Sequence, residues 1–256
     1  MQQPGAMADM CRNIDTVIYH NTCPMCGKVE DQTVEVPEFA REFLKGGNTE
    51  NFCEMCHVKY AEMQKAQYEK NRRDMLLENS GIPKDFLNWD KEKGNSELAR
   101  QILNNNKLSL FVGGKNNCCK TRATAYNLKL SIIKEGKDCC FVRFSDLAAG
   151  YARVCKLNSE NSSQYIRELL QHDILLIDDI GKRRITETAG ELLYDLFDLV
   201  YSGEYSTLLW VTSNKSLEDL AEAFADGDIG DAVVSRIDRM IESGRMVMIE
   251  ATEKAK

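Results

Sequence analysis

Five short apolar runs divide the chain from residue 108 onward, at 108–112, 139–144, 174–177, 206–214 and 245–250. Each predicts a buried strand. Between them, apolar residues recur at helical spacing. Residues 121–135 carry Ala123, Tyr126, Leu130 and Ile133 at that spacing and are closed by Gly136. Helices are likewise predicted over 95–105, from a cap at Ser145 to residue 156, up to Gln171 after a polar loop at 158–163, and over 186–201, 217–224 and 229–243. Strands alternating with helices predict an α/β unit, a parallel sheet with helices on both faces.

The segment before residue 82 reads differently. From His57 to Glu78 the chain is rich in Lys, Glu, Gln and Met and has neither Gly nor Pro, which predicts a long polar helix ended by Gly81-Ile82-Pro83. Its Lys59, Lys65, Lys70, Arg72 and Arg73 are interleaved with acids, the pattern of a solvated face. Ahead of the helix stand two Cys-x-x-Cys pairs, Cys23/Cys26 and Cys53/Cys56. Each pair would put two thiolates at the tip of a tight knuckle, and two knuckles close a tetrahedral Zn²⁺ site. Four protein ligands saturate the metal, so the site would be structural. Cysteine ligands also suit iron, and His20 or His57 can stand in for one thiolate. The apolar spacer at 34–44 predicts strands or a short helix beside the metal. The expected organisation is a small zinc-binding module with a connecting helix over 1–81 and an α/β domain over 82–256.

Composition narrows the setting. Of 256 residues, 43% are hydrophobic and 29% charged, as in globular proteins. A net charge of −7 confines nucleic-acid contact to local basic patches. The candidates are Lys182, Arg183 and Arg184, and a second group of Arg143, Arg153 and Lys156. No apolar run approaches the roughly 20 residues that cross a bilayer. The N-terminus lacks a basic segment followed by an apolar one, so no secretory signal is expected. The 10 cysteines then point to a reducing cytosol and to metal binding, not to disulfides.

Ligands in sheets of this kind bind at the carboxyl ends of the strands. There the segment Gly113-Gly114-Lys115-Asn116-Asn117-Cys118-Cys119-Lys120-Thr121 leaves a strand and opens a helix. This is the layout of a phosphate-binding loop. Backbone N–H groups and the helix N-terminus would face the phosphates, Lys120 would reach the β/γ-phosphates and the Thr121 hydroxyl would hold Mg²⁺. Cys119 stands where the pattern has glycine, and Asn117 where many such loops have another. Glycine allows positive φ and close approach of phosphate, and Asn tolerates positive φ better than most residues. Weakened nucleotide affinity is therefore expected. At 174–179, four apolar residues lead into Asp178-Asp179, the Walker-B arrangement, with Asp178 on the metal side and Asp179 as general base. Asn214 ends the next apolar strand, where its amide can position water or touch a γ-phosphate. Arg236, on a later helix, is a candidate arginine finger toward a neighbouring subunit.

In order, GGKNNCCKT, ILLIDDIGKRRIT, LLWVTSNKSLEDL and VVSRIDRM resemble the DnaC/DnaI-type helicase loaders and their relatives the IstB transposition helpers, within the AAA+ ATPase superfamily. SGIPKDF, following a cysteine-rich module and a polar helix, is similar to phage-type loaders. The resemblance implies ATP held by residues 113–121, Mg²⁺ at Thr121 and Asp178, catalysis by Asp179, a sensor role for Asn214 and an arginine finger at Arg236. It also implies a ring-shaped hexameric replicative helicase as partner, gripped by the N-terminal module, with AAA+ domains that self-associate and contact single-stranded DNA. The expected setting is the cytoplasm of a bacterium or phage-infected host. The competing readings are a pseudo-ATPase adaptor with a degenerate loop and an IstB-like transposition helper.

Overall fold

The computed structural model describes residues 14–37, 54–88, 95–157 and 159–252, in two compact units, Met1–Glu69 and Lys70–Lys256. In the first unit, β1 (Ile14–Thr22) and β2 (Val29–Pro37) form an antiparallel hairpin paired from Ile14↔Pro37 to Thr22↔Val29. Its turn is Cys23-Pro-Met-Cys26-Gly27. Gly27 takes φ +71°, and its N–H donates to Cys23 O at 2.8 Å, while Cys23 N–H donates to Lys28 O at 2.8 Å. Helix α1 (Glu54–Asn79) follows. It begins before His57, so Cys56 lies in the first turn of a helix and not at the tip of a second knuckle. The part of the apolar spacer beyond Pro37 lies outside the described residues, as does Cys53. The two compact units meet within α1, and Leu76 and Leu77 near its end pack on the core of the second unit.

The second unit carries five parallel strands: β3 (Ser109–Gly113), β4 (Cys139–Arg143), β5 (Ile174–Ile180), β6 (Leu208–Ser213) and β7 (Met246–Glu250). Their order is β4-β5-β6-β3-β7. The helices are α2 (Lys84–Leu87), α3 (Ser96–Asn104), α4 (Lys120–Leu130), α5 (Phe144–Leu157), α6 (Ser159–Leu169), α7 (Glu187–Ser202), α8 (Leu217–Ala221) and α9 (Gly227–Glu242). A π-helical turn, Ser131–Glu135, continues α4 and ends at Gly136, φ +67°. The expected α/β architecture is thus present. Because α5 starts at Phe144, Ser145 sits inside its first turn instead of capping it. Residues 159–163, expected as a polar loop, form the start of α6. Ser and Asn disfavour helix only weakly, and the burial of Ile166 and Leu170 outweighs that preference.

Successive residues along a strand point to opposite faces. Leu175, Ile177, Leu209 and Val211 meet α7 and α9 through Leu192, Leu196 and Ile237 on one face. Leu176, Trp210, Leu110 and Val112 meet α3 and α4 through Ile102, Ala125 and Leu128 on the other. Both faces are covered, which explains why the strands read as unbroken apolar runs. The chain order brings the carboxyl ends of β3, β5 and β6 side by side, with β3 at the point where the winding reverses.

Trp210, on β6, is fully buried, and its indole N–H donates to Leu108 O at 3.1 Å. Trp210→Ala removes the largest side chain of one core and is expected to cost about 3–5 kcal/mol, measured by urea denaturation.

Candidate functional site

The loop between β3 and α4 is shaped by three backbone positions with positive φ. Gly114 sits at φ +134°, and a Cβ there would come within 2.4 Å of Ala251 O, so only glycine fits. Asn117 (φ 69°) and Cys119 (φ 60°, ψ 24°) take the left-handed conformation. These are the two positions where glycine was expected and is missing. The chain adopts the glycine conformation without the glycines, at a cost of roughly 1–2 kcal/mol for a residue with a Cβ and less for Asn. Cys119 precedes α4, and its carbonyl accepts the first helical hydrogen bond, from Ala123 N–H at 2.9 Å. Cys118 is buried in the core under the loop, whereas Lys115, Asn116 and Asn117 are exposed. Asn95, which the sequence did not single out, braces the loop. Its Oδ1 caps α3 by accepting from Leu98 N–H at 3.0 Å, and its Nδ2 donates to Thr252 O at 3.1 Å and Cys118 O at 3.4 Å.

The acidic pair sits on a β-bulge. From Ile177 to Ile180, β5 advances three residues while β6 advances two, from Val211 to Ser213. Asp179, at φ 66°, takes up the extra residue. Thr212 holds this distortion together. Its hydroxyl donates to Asp178 Oδ1 at 2.7 Å and accepts from Asp179 N–H at 2.9 Å. Thr212 was also missed from sequence, where its only signal is a hydroxyl inside an apolar run. The Thr121 hydroxyl, from α4, donates to the same Asp178 Oδ1 at 2.7 Å. Asp178 is 5% exposed. Burial pushes its carboxyl above the ordinary 3.8, the hydrogen bonds from Thr212 and Thr121 pull it down, and the neighbouring Asp179 pushes it up again. A buried carboxylate oxygen beside a hydroxyl at the mouth of a phosphate loop is a hard-oxygen donor set that fits Mg²⁺.

A second chain of contacts crosses the site. Lys120 is buried, and its Nζ donates to Gly114 O at 2.7 Å, Lys115 O at 2.6 Å and Asn214 Oδ1 at 2.8 Å. Burial lowers its pKa against the pull of Asp179 and Asp178. Asn214 Nδ2 donates to Asp179 Oδ1 at 2.7 Å, and Lys182 Nζ donates to Asp179 Oδ2 at 2.5 Å. Lys120, Thr121, Asp178, Asp179 and Asn214 therefore share one cleft of about 900 Å³, which Arg143, Lys182, Arg183 and Arg184 also line. The cleft can hold a polyphosphate and a divalent cation against one carboxylate pair. Arg236 is elsewhere. On α9 it pairs through Nε with Asp198 Oδ1 of α7 at 2.8 Å and lies 5.4 Å from the Tyr201 ring centroid.

In the first unit, the sulfurs of Cys23, Cys26 and Cys56 all lie within 4.8 Å of one another, close enough for one ion. The side chains of Cys53, His20 and His57 lie outside the described ones. No helix among the described residues is long and apolar enough to cross a membrane.

Residues 86–253 match the sequence pattern of a family described as IstB-like ATP binding protein. Solved structures share the fold. A DnaC helicase loader is 21% identical, with a TM-score of 0.52 over 66% of this chain and 100% of that one. A DnaI structure is 15% identical, with a TM-score of 0.52 over 67% of this chain and 95% of that one. No curated protein sequence matches significantly.

The raised Asp178 pKa has a definite sign. The folded chain binds this proton more tightly than the unfolded chain, so ionisation weighs against folding. That cost is absent below the ordinary 3.8 and builds up as the pH rises toward the native value. Asp178→Asn is therefore expected to raise the thermal midpoint near neutral pH. The gain should fade toward about pH 4, in a pH series of melting curves.

Proposed function

The chain belongs to the IstB-like ATP-binding protein family and carries an ATP-binding AAA+ domain, and from that premise we propose that it is an ATPase that loads a replicative helicase onto single-stranded DNA. The observation that carries the proposal is the convergence of Lys120, Thr121, Asp178, Asp179 and Asn214 in one cleft beside a loop with positive φ at Gly114, Asn117 and Cys119. Loop residues 113–119 would wrap the phosphates with backbone N–H groups, helped by the α4 N-terminus. Lys120 would exchange the Gly114 and Lys115 carbonyls for β/γ-phosphate oxygens. Thr121 and Asp178 would hold Mg²⁺, whose charge offsets that of the phosphates. Asp179 would orient the attacking water and accept its proton, with Asn214 fixing the carboxylate and sensing the γ-phosphate. Arg236, which does not line its own cleft, would serve the site of a neighbouring copy in an oligomer. Domain 82–256 would thus be the motor. Domain 1–81, with Zn²⁺ held by Cys23, Cys26, Cys56 and Cys53, would be the grip on the hexameric helicase. The DnaC helicase loader and DnaI structures support this reading through shared fold, and the order of motifs supports it through chemistry.

Titration with a fluorescent ATP analogue and Mg²⁺ should saturate, and Lys120→Ala should weaken binding at least about tenfold, the equivalent of roughly 1.4 kcal/mol. Asp179→Asn should retain binding and lower phosphate release by about 100-fold or more. Co-sedimentation with a hexameric replicative helicase, and helicase transfer to a single-stranded circle, test the loader role. Binding with no turnover in the wild type would replace the ATPase by a scaffold, and absence of saturable binding would end the nucleotide reading altogether.

Metal analysis of the purified protein should find one zinc per chain. Cys23→Ser or Cys56→Ser should release it and destabilise the first unit, since structural zinc energy is folding energy. A full-length protein without zinc at any pH between about 6 and 8 would remove the metal assignment.

A further inference from the structure

The three clustered cysteines of the first unit are not equivalent. Cys23 and Cys26 belong to one turn, between β1 and β2, whereas Cys56 stands on a separate element, in the first turn of α1. Cys23 is 2% exposed and Cys56 6%, and the two form a small buried cluster of their own. Cys26 is exposed. The turn is held by its own backbone: Gly27 N–H donates to Cys23 O and Cys23 N–H to Lys28 O, both at 2.8 Å. Neither bond needs a metal. The Cys23 and Cys26 sulfurs lie within 4.8 Å of each other, and a disulfide closes at about 2.04 Å, so the gap between them is short. In the second unit, burial pushes the Cys139 and Cys140 thiols up to about 12 and about 11, which leaves them almost without thiolate, the reactive form.

From this we propose that the cysteine cluster is a redox switch, in which Cys26 and Cys23 pair as a disulfide, give up the metal and release the start of α1 from the hairpin. The inference rests on the zinc assignment made above. The oxidant is hydrogen peroxide. The exposed Cys26 thiolate attacks one peroxide oxygen: an S–O bond forms, the O–O bond breaks and hydroxide leaves. The Cys23 thiolate then attacks the Cys26 sulfur: the S–S bond forms, the S–O bond breaks and a second hydroxide leaves. Two protons from solvent turn both hydroxides into water. The two sulfurs together lose two electrons, and the peroxide gains them. The thiolate is the metal ligand, so this single bond removes both cysteine ligands of the hairpin. Cys56 keeps its thiolate but loses its tie to the turn. A two-stranded hairpin is marginal by itself, so loss of that tie loosens β1 and β2. Disulfides of reducing compartments are transient and redox-sensing, and an exposed one is readily reduced, which restores the site.

The test treats the zinc-loaded full chain with hydrogen peroxide in the presence of a chromogenic zinc chelator. Remaining thiols are then blocked and disulfides mapped by mass spectrometry. Loss of the zinc should run in parallel with formation of a Cys23–Cys26 disulfide, and dithiothreitol with added zinc should reverse both. Amide hydrogen exchange across β1 and β2 should rise on oxidation and fall back on reduction. Zinc release without that disulfide, or a disulfide from Cys56 to either of the other two, overturns the inference. Zinc taken by the chelator equally fast without peroxide overturns it too, as does hydrogen exchange that oxidation leaves unchanged. Failure of the zinc assignment shows separately, as a chain that holds no zinc before peroxide is added, and it removes the inference as well.

Discussion

The site hangs on one buried carboxylate oxygen. Asp178 Oδ1 accepts hydrogen bonds from Thr121 on α4 and from Thr212 on β6, both at 2.7 Å. Those two contacts tie α4, which opens after the β3–α4 loop, to strands β5 and β6 at a single point. Burying this charge is unfavourable, as the raised pKa shows, and the two hydroxyls only partly offset it. The fold tolerates the cost because the surrounding sheet is buried on both faces and holds the three strand ends in register.

Around that point the backbone is held in conformations that its side chains resist. Asn117, Cys119 and Asp179 all have positive φ without being glycine. Two shape the phosphate loop and one forms the bulge that presents the acid pair. Strain of this type persists only where neighbouring contacts over-determine it. Here those contacts are Asn95 on the Cys118 carbonyl and Thr212 on the Asp179 N–H. The missing glycines therefore change the energy of the loop more than its shape.

The first unit works on another principle. A two-stranded hairpin is marginally stable by itself, and the three clustered cysteines stand at its turn and at the start of α1. A metal there would tie the turn of the hairpin to the start of α1.

Much of the architecture was legible in the sequence, because strands covered on both faces must be unbroken apolar runs and their helices must show a single apolar stripe. Lys120, Thr121, Asp178, Asp179 and Asn214 could be nominated because each sits at a fixed offset from a strand end, and offset along one chain is a local property. What the sequence left open depends on partners distant in the chain. Thr212 looks like any strand residue until a bulge 33 residues away puts an N–H and a carboxylate against its hydroxyl. Asn95 looks like a helix cap until the C-terminal Thr252, 157 residues on, comes to its amide. The polar start of α6 reads as a loop until burial of its far end decides the matter. Cys119 reads as a defect until its φ is known. Local pattern determines which elements form and where their polar ends fall, but only tertiary packing decides which of those ends share a proton, a charge or a strained turn.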